Sequence, residues 1–177
     1  MLIDRFYPDD YVESVFAIDY ERLYAMGFRG LVFDIDNTLV PHGADSTAEV
    51  DELFRHIHAV GLKTLLLSNN SEARVLRFKA NIDSLYIYDA HKPDPASFAK
   101  AVEMLGLRQS EVLVVGDQVF TDILGANRCG LASILVKYIG YYRKEKKGIR
   151  RNVEKIILRC YRHSRKHNQR KLNIEKI

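Results

Sequence analysis

Leu31-Val32-Phe33-Asp34-Ile35-Asp36-Asn37-Thr38 is the stretch from which the fold is read. Three apolar residues, too few for a helix, run without alternation into two acids. A short unbroken apolar run of this kind marks a strand buried on both faces of a parallel sheet. Further along the chain the same signature returns at 64–67, 112–115 and 132–136, and more weakly at 85–88. Helical spacing fills the intervals. Residues 47–60 carry Val50, Leu53, Phe54 and Ile57 on one face, and Gly61 supplies the stop. Ser71 is placed to cap a helix through 74–79, and Pro95 opens another at 96–105 that ends before Gly106. A fourth helix covers 120–129. Strand and helix alternate, so the expected class is α/β, a Rossmann-like, doubly wound and mainly parallel sheet. Residues 1–28 are partly helical and aromatic-rich, and are expected to flank that sheet.

The chain of 177 residues has room for one domain and an appendage. Its charge divides it in the same way. Residues 1–142 hold 13 basic and 20 acidic side chains, whereas 143–177 hold 14 basic and only 3 acidic. An acidic domain over 1–142 and a basic, helical tail over 143–177 are expected. The mean hydropathy of −0.20 is ordinary for a globular chain. No run approaches the apolar length of a membrane span, and the first residues lack the basic and apolar regions of a secretory leader. A cytoplasmic or membrane-peripheral location is the expectation. Cys129 and Cys160 read as two reduced thiols, and no metal-binding Cys/His spacing is present.

In an open parallel sheet, reactive groups gather where loops leave the carboxyl ends of strands. Four such ends carry chemistry here: Asp34-Ile-Asp36-Asn-Thr38; Ser68-Asn69-Asn70; Lys92-Pro93; and Gly116-Asp117 followed by Asp122. Each alone reads as a turn, a cap or a surface lysine. All four in this order, each at a strand end, read as one site.

The set resembles the four signature motifs of the haloacid dehalogenase-like (HAD) superfamily. It is similar in particular to the subfamily IIIA, YqeG-like phosphatases and to phosphatidylglycerophosphate phosphatases. The Tyr-Pro-Asp-Asp-Tyr-Val stretch at 7–12 and the Gly-Phe-Arg-Gly stretch at 27–30 carry the finer likeness. The resemblance implies a Mg²⁺-dependent phosphomonoester hydrolase. It makes Asp34 the nucleophile, forming an aspartyl-phosphate, and Asp36 the acid and base. Lys92 would balance charge between Asp34 and the phosphate. The Asp34 carboxylate, the Asp36 backbone carbonyl and the Asp117 carboxylate would hold the metal, with Asp122 in support. Thr38, Ser68 and the backbone near Asn69 would bind the phosphoryl group. Charge repulsion gives this assignment its physical sense, because two carboxylates and a phosphate dianion need a hard cation between them.

The intervals between motifs leave no room for a cap domain: 29 residues separate Thr38 from Ser68, and 23 separate Ser68 from Lys92. Only the short 39–44 segment can form a flap. An open site admits a bulky substrate such as a phospholipid headgroup, or awaits a lid from an oligomeric neighbour. In the tail, Ile149, Val153, Ile156, Ile157, Cys160 and Tyr161 form an apolar stripe beside Arg150, Arg151, Lys155, Arg159 and Arg162. Such a stripe packs on its own domain, lies on an anionic membrane, or docks on nucleic acid. Three functions are therefore weighed. The first is hydrolysis of phosphatidylglycerophosphate, and the second is hydrolysis of small sugar or nucleotide monophosphates. The third is phosphate sensing by an RNA- or ribosome-bound protein, although a pure binder has no use for Asp36. His42 and His91 read as structural, and His56 and His58 receive no role.

Overall fold

A computed structural model describes residues 2–139, 149–164 and 172–174. The basic stretches at 143–148 and 165–171, residues 175–177, and the side chains of Ile149, Arg150 and Arg151 lie outside the described residues.

Six strands form one sheet: β1 (Asp10–Val12), β2 (Gly30–Phe33), β3 (Lys63–Leu67), β4 (Leu85–Ile87), β5 (Val112–Gly116) and β6 (Ala132–Val136). Their order is β1-β6-β5-β2-β3-β4, and every pairing is parallel. Helices α1 (Tyr20–Ala25), α2 (Ala48–Val60), α3 (Glu72–Phe78), α4 (Pro95–Leu105) and α5 (Leu124–Arg128) link the strands, and α6 (Ile149–Arg162) follows them.

Side-chain alternation divides the core into two layers. Leu31, Phe33, Leu66, Leu113 and Val115 face α1, α2 and α3, where the Phe54 ring lies tilted with its centroid 5.3 Å from that of Phe33. Val32, Leu65, Leu67, Val112 and Val114 face α4 and α5 through Phe98, Ala101, Leu105 and Ala126. Covering both faces buries the central strands entirely, which is why their sequences are apolar without alternation.

The helix ends follow local chemistry. Thr47 accepts from the Val50 N–H at the start of α2, and Gly61 closes it with φ of 98°. At α4, Asp94 accepts from Ala96 N–H ahead of Pro95. Ser71 precedes α3 but makes no side-chain cap bond.

The amino-terminal flank contributes more than helices. Asp10–Val12 pairs with Ile134, Leu135 and Val136 and forms one edge of the sheet. The tail helix α6 buries Glu154, Ile157 and Tyr161 against Tyr7, Val119, Ile123 and Leu135. Val153, Ile156 and Cys160 of the expected stripe face solvent instead. The buried face is thus rotated toward Glu154 and Leu158. Beyond it, Ile174 is fully buried in the main core, and its carbonyl accepts from the Asp19 N–H. Among the described residues no helix is long and apolar enough to cross a membrane.

Candidate active site

Strand order changes direction between β2 and β5, so the crevice beyond their carboxyl ends is the natural binding place of this topology. Asp34 follows β2 there, and its N–H donates to the Val115 carbonyl at 3.0 Å, extending the pairing by one residue. Asp117 follows the adjacent β5. The chain then passes through a π-helical turn, Val119–Ile123, that carries Asp122 back toward the strand ends. Lys92 lies beyond β4. It is held by Asn69, whose side chain accepts from the Lys92 N–H at 2.7 Å and donates to the Lys92 carbonyl at 3.3 Å.

These residues meet in one buried cluster. The Lys92 ammonium donates to Asp34 Oδ1 at 2.6 Å and to Asp122 Oδ1 at 2.7 Å. The Thr38 hydroxyl donates to Asp34 Oδ2 at 3.0 Å and lies 3.4 Å from Asp117 Oδ1. Asp122 Oδ2 accepts from the Gln118 N–H at 3.1 Å. Burial pushes the Asp34 carboxyl up to about 6; Lys92 pulls it back and Asp122 adds to the rise. Burial opposes the Lys92 charge, but the carboxylates of Asp122 and Asp34 outweigh it and hold its pKa above the ordinary lysine value.

The donor set suits a hard divalent cation. One oxygen from each of Asp34, Asp117 and Asp122 lies within 4.8 Å of the others. Lys92 occupies the side shared by Asp34 and Asp122, whereas Thr38 marks the side shared by Asp34 and Asp117. Three formal negative charges against one ammonium leave a buried deficit of two, which a dication balances.

Asp36 is built differently. Its carboxylate is no part of the Asp34, Asp117 and Asp122 group and is held by three donors: the Gly43 N–H at 2.6 Å, Asn70 Nδ2 at 2.6 Å and Arg74 Nη2 at 3.0 Å. The intervening Asn37 adopts a left-handed φ of 68°, which asparagine tolerates, and this turns the chain into the flap. His42 Nδ1 stands 3.7 Å from Asp36, within the flap. The Ser68 hydroxyl, at the end of β3, accepts from the Asn70 N–H at 3.1 Å. His58 pairs with Thr64 at 2.8 Å, away from the site.

Two participants, Arg74 and Glu154, were not singled out by the sequence. Arg74 engages Asp36 beside Asn70 of the second motif, and Glu154 of α6 accepts from the Val119 N–H at 3.2 Å, inside the acidic loop. The signal for Arg74 was a charged residue beside Val75 and one turn before Phe78, on the buried face of a short helix.

Gly116 explains the Gly-Asp pairing in the fourth motif. A Cβ there would come within 2.4–2.5 Å of the Asp122 side chain. Gly116→Ala is therefore expected to cost about 1–3 kcal/mol through overpacking. It should also displace Asp122 from Lys92. A thermal melt alongside a phosphate-release assay checks this; unchanged stability and activity would show that the close approach does not matter.

A family model for HAD-hydrolase-like proteins matches residues 90–154. The chain is 38% identical over 137 residues to the probable phosphatase YqeG of Bacillus subtilis (strain 168), covering 77% of this chain and 80% of that one. It is 33% identical over 165 residues to phosphatidylglycerophosphate phosphatase 1, chloroplastic/mitochondrial, of Arabidopsis thaliana. That alignment takes in 85% of this chain but only 46% of the plant protein, so the chain spans just under half of the plant protein's length. Among solved structures, an uncharacterised protein from Listeria monocytogenes serotype 4b superposes with a TM-score of 0.53 at 20% identity, over 67% of this chain and 84% of that one. The structural likeness shows the fold.

Proposed function

Because the chain belongs to the HAD-like hydrolases and is a phosphatase among them, we propose that it cleaves a phosphomonoester through an aspartyl-phosphate on Asp34, with Mg²⁺ as cofactor. The observation that carries this reading is the buried cluster in which Lys92 joins Asp34 to Asp122 and Thr38 joins Asp34 to Asp117.

In the proposed reaction an Asp34 oxygen attacks phosphorus as the ester oxygen departs. Asp36 gives that oxygen its proton and later takes one from the water that releases phosphate. Lys92 keeps Asp34 ionised and oriented, and Asp122 keeps Lys92 in place. Ser68 and the backbone around Asn69 hold the phosphoryl oxygens. The Asp34 and Asp117 carboxylates and the Asp36 carbonyl would hold the metal, which when bound supplies positive charge to the phosphoryl group.

For substrate, we propose phosphatidylglycerophosphate, on three supports: the activity for which the plant relative is named, the capless site and the exposed face of α6. On that face Val153 and Ile156 lie beside the solvent-facing Lys155, Arg159 and Arg162, a pattern suited to an anionic surface. Residues 1–142 would then be the catalytic domain and 143–177 its membrane-facing appendage, in a cytoplasmic, membrane-peripheral setting.

Phosphate release tests this directly. Phosphatidylglycerophosphate in anionic vesicles is compared with soluble sugar and nucleotide monophosphates. We expect the lipid to be favoured at least about tenfold in kcat/KM, and high salt to reduce that preference. A preference for soluble monophosphates would transfer the assignment to them. Chelator should stop turnover and Mg²⁺ should restore it, with Ca²⁺ a poor substitute because it relaxes the octahedral geometry. Full activity in excess chelator would remove the metal from the scheme.

A further inference from the structure

The flap over Asp36 is fastened to α3 by two arginines that do different things. Arg77 donates to Asp45 at 2.6 Å and to the Gly43 carbonyl at 3.0 Å, and it is largely exposed. Arg74 is 9% exposed, and its Nη2 is shared between the Asp36 carboxylate at 3.0 Å and the Ala44 carbonyl at 2.7 Å. One nitrogen thereby ties the carboxylate to the flap above it. The Nε and Nη1 of Arg74 are buried with no hydrogen-bond partner among the described residues, and the guanidinium lies 5.7 Å from the Phe78 ring. Burying a cation with two unused donors costs stability that an apolar residue would not. Packing alone therefore gives no reason for an arginine here, while its contact to Asp36 does.

We propose that Arg74 is the positioning residue of the general acid, setting the direction in which Asp36 presents its carboxyl to the departing ester oxygen. This rests on the role given to Asp36 above. Asn70 secures Oδ2 and Arg74, together with the Gly43 N–H, secures Oδ1, so both oxygens have assigned partners. Without Arg74, Oδ1 keeps the Gly43 N–H as its hydrogen-bond donor, with His42 Nδ1 3.7 Å away, and the flap loses its Ala44 anchor at the same time. The acid is then held more loosely at the moment the bond to the leaving group breaks.

Leaving-group dependence tests the idea, because only a poor leaving group needs a proton as it departs. The quantity to measure is kcat/KM, which reads the steps through formation of the aspartyl-phosphate and leaves out its later hydrolysis. The substrates are glycerol phosphate, with an alkyl leaving group, and para-nitrophenyl phosphate, whose phenolate leaves unaided. For Arg74→Ala with Mg²⁺ present we expect a loss of at least about tenfold on the alkyl ester and less than about twofold on the aryl ester. Asp36→Asn should split the two substrates in the same direction and further. Arg77→Ala, which loosens the flap without touching Asp36, should not split them. Should Arg74→Ala fail to fold, Arg74→Lys carries the same comparison, with the charge kept and the two-acceptor geometry weakened. Equal losses on both substrates, or none, would overturn the assignment, as would an Arg77→Ala split as large as that of Arg74→Ala. If Asp36→Asn itself gives no split, the reading of Asp36 fails, and the role of Arg74 falls with it.

Discussion

Asp34→Asn is expected to lower phosphate release by at least about 10⁴-fold while the protein stays folded. The side chain keeps its shape but loses the carboxylate oxygen proposed as the nucleophile. The stability effect should run the other way. Burial lifts the Asp34 pKa to about 6, above its value in an unfolded chain, so ionised Asp34 opposes folding as pH rises through that range. A neutral amide removes this cost. The metal-free variant should therefore melt no lower than the metal-free parent at pH 8, and the advantage should fade toward pH 4. Activity and stability pulling apart in this way is a signature of a functional carboxylate. Retention of most activity in carefully purified Asp34→Asn would end the proposed mechanism.

Lys92→Ala should remove activity and stability together. The ammonium is nearly inaccessible and joins two buried carboxylates, so truncation leaves both without their cation. Stranding one partner of a buried pair costs about 3–5 kcal/mol. For a chain of this size that corresponds to a melting point lower by roughly 10 °C. The loss should depend on pH in a defined direction. Without Lys92, the carboxyl pKa of Asp34 rises further above its unfolded value. Stability is then present at low pH and lost as pH rises, so the deficit should be smaller at pH 5 than at pH 8. Melts of metal-free parent and variant at both values check this. A deficit that is absent, or that grows toward acid, would mean that Lys92 is not the counter-charge of this cluster.

Much of this architecture could be read from residue pattern, for physical reasons that differ by element. Strands β2, β3, β5 and β6 are covered on both faces, and that double burial imposes the continuous apolar runs from which they were recognised. Strand β1 escaped recognition because it is an edge of three residues, Asp10-Tyr11-Val12, with only alternate positions buried. Its Asp10 is tied up by backbone donors, including the Asn173 N–H at 3.0 Å, which no local pattern announces. In the site, Asp34 and Asp117 stood out because each follows directly on an apolar strand end, and Lys92 and Asp122 because they complete the motif pattern downstream of such ends. They converge as the strand order requires. Arg74 and Glu154 did not stand out, since an ionised residue on a helix normally points to water. Their buried positions depend on elements distant in sequence: the flap for Arg74 and the acidic loop for Glu154. In α6 the apolar stripe was visible but its orientation was not, because Val153 and Ile157 are equally good candidates until the surface beneath is known.

Strand β1 also bears on the order in which this chain becomes structured during synthesis. Among the described residues its one strand partner is β6, and the Ser133 N–H to Asp9 carboxylate contact beside it spans 124 positions. A growing chain emerging amino-terminus first would expose Tyr7, Tyr11 and Val12 long before their partner strand is made. By contrast, β2 and β3 can pair soon after Leu67 appears. Contacts of such long range form slowly, and unpaired apolar edges are where nascent chains associate wrongly. The acids at positions 4, 9 and 10 place charge beside that waiting edge, which disfavours such association.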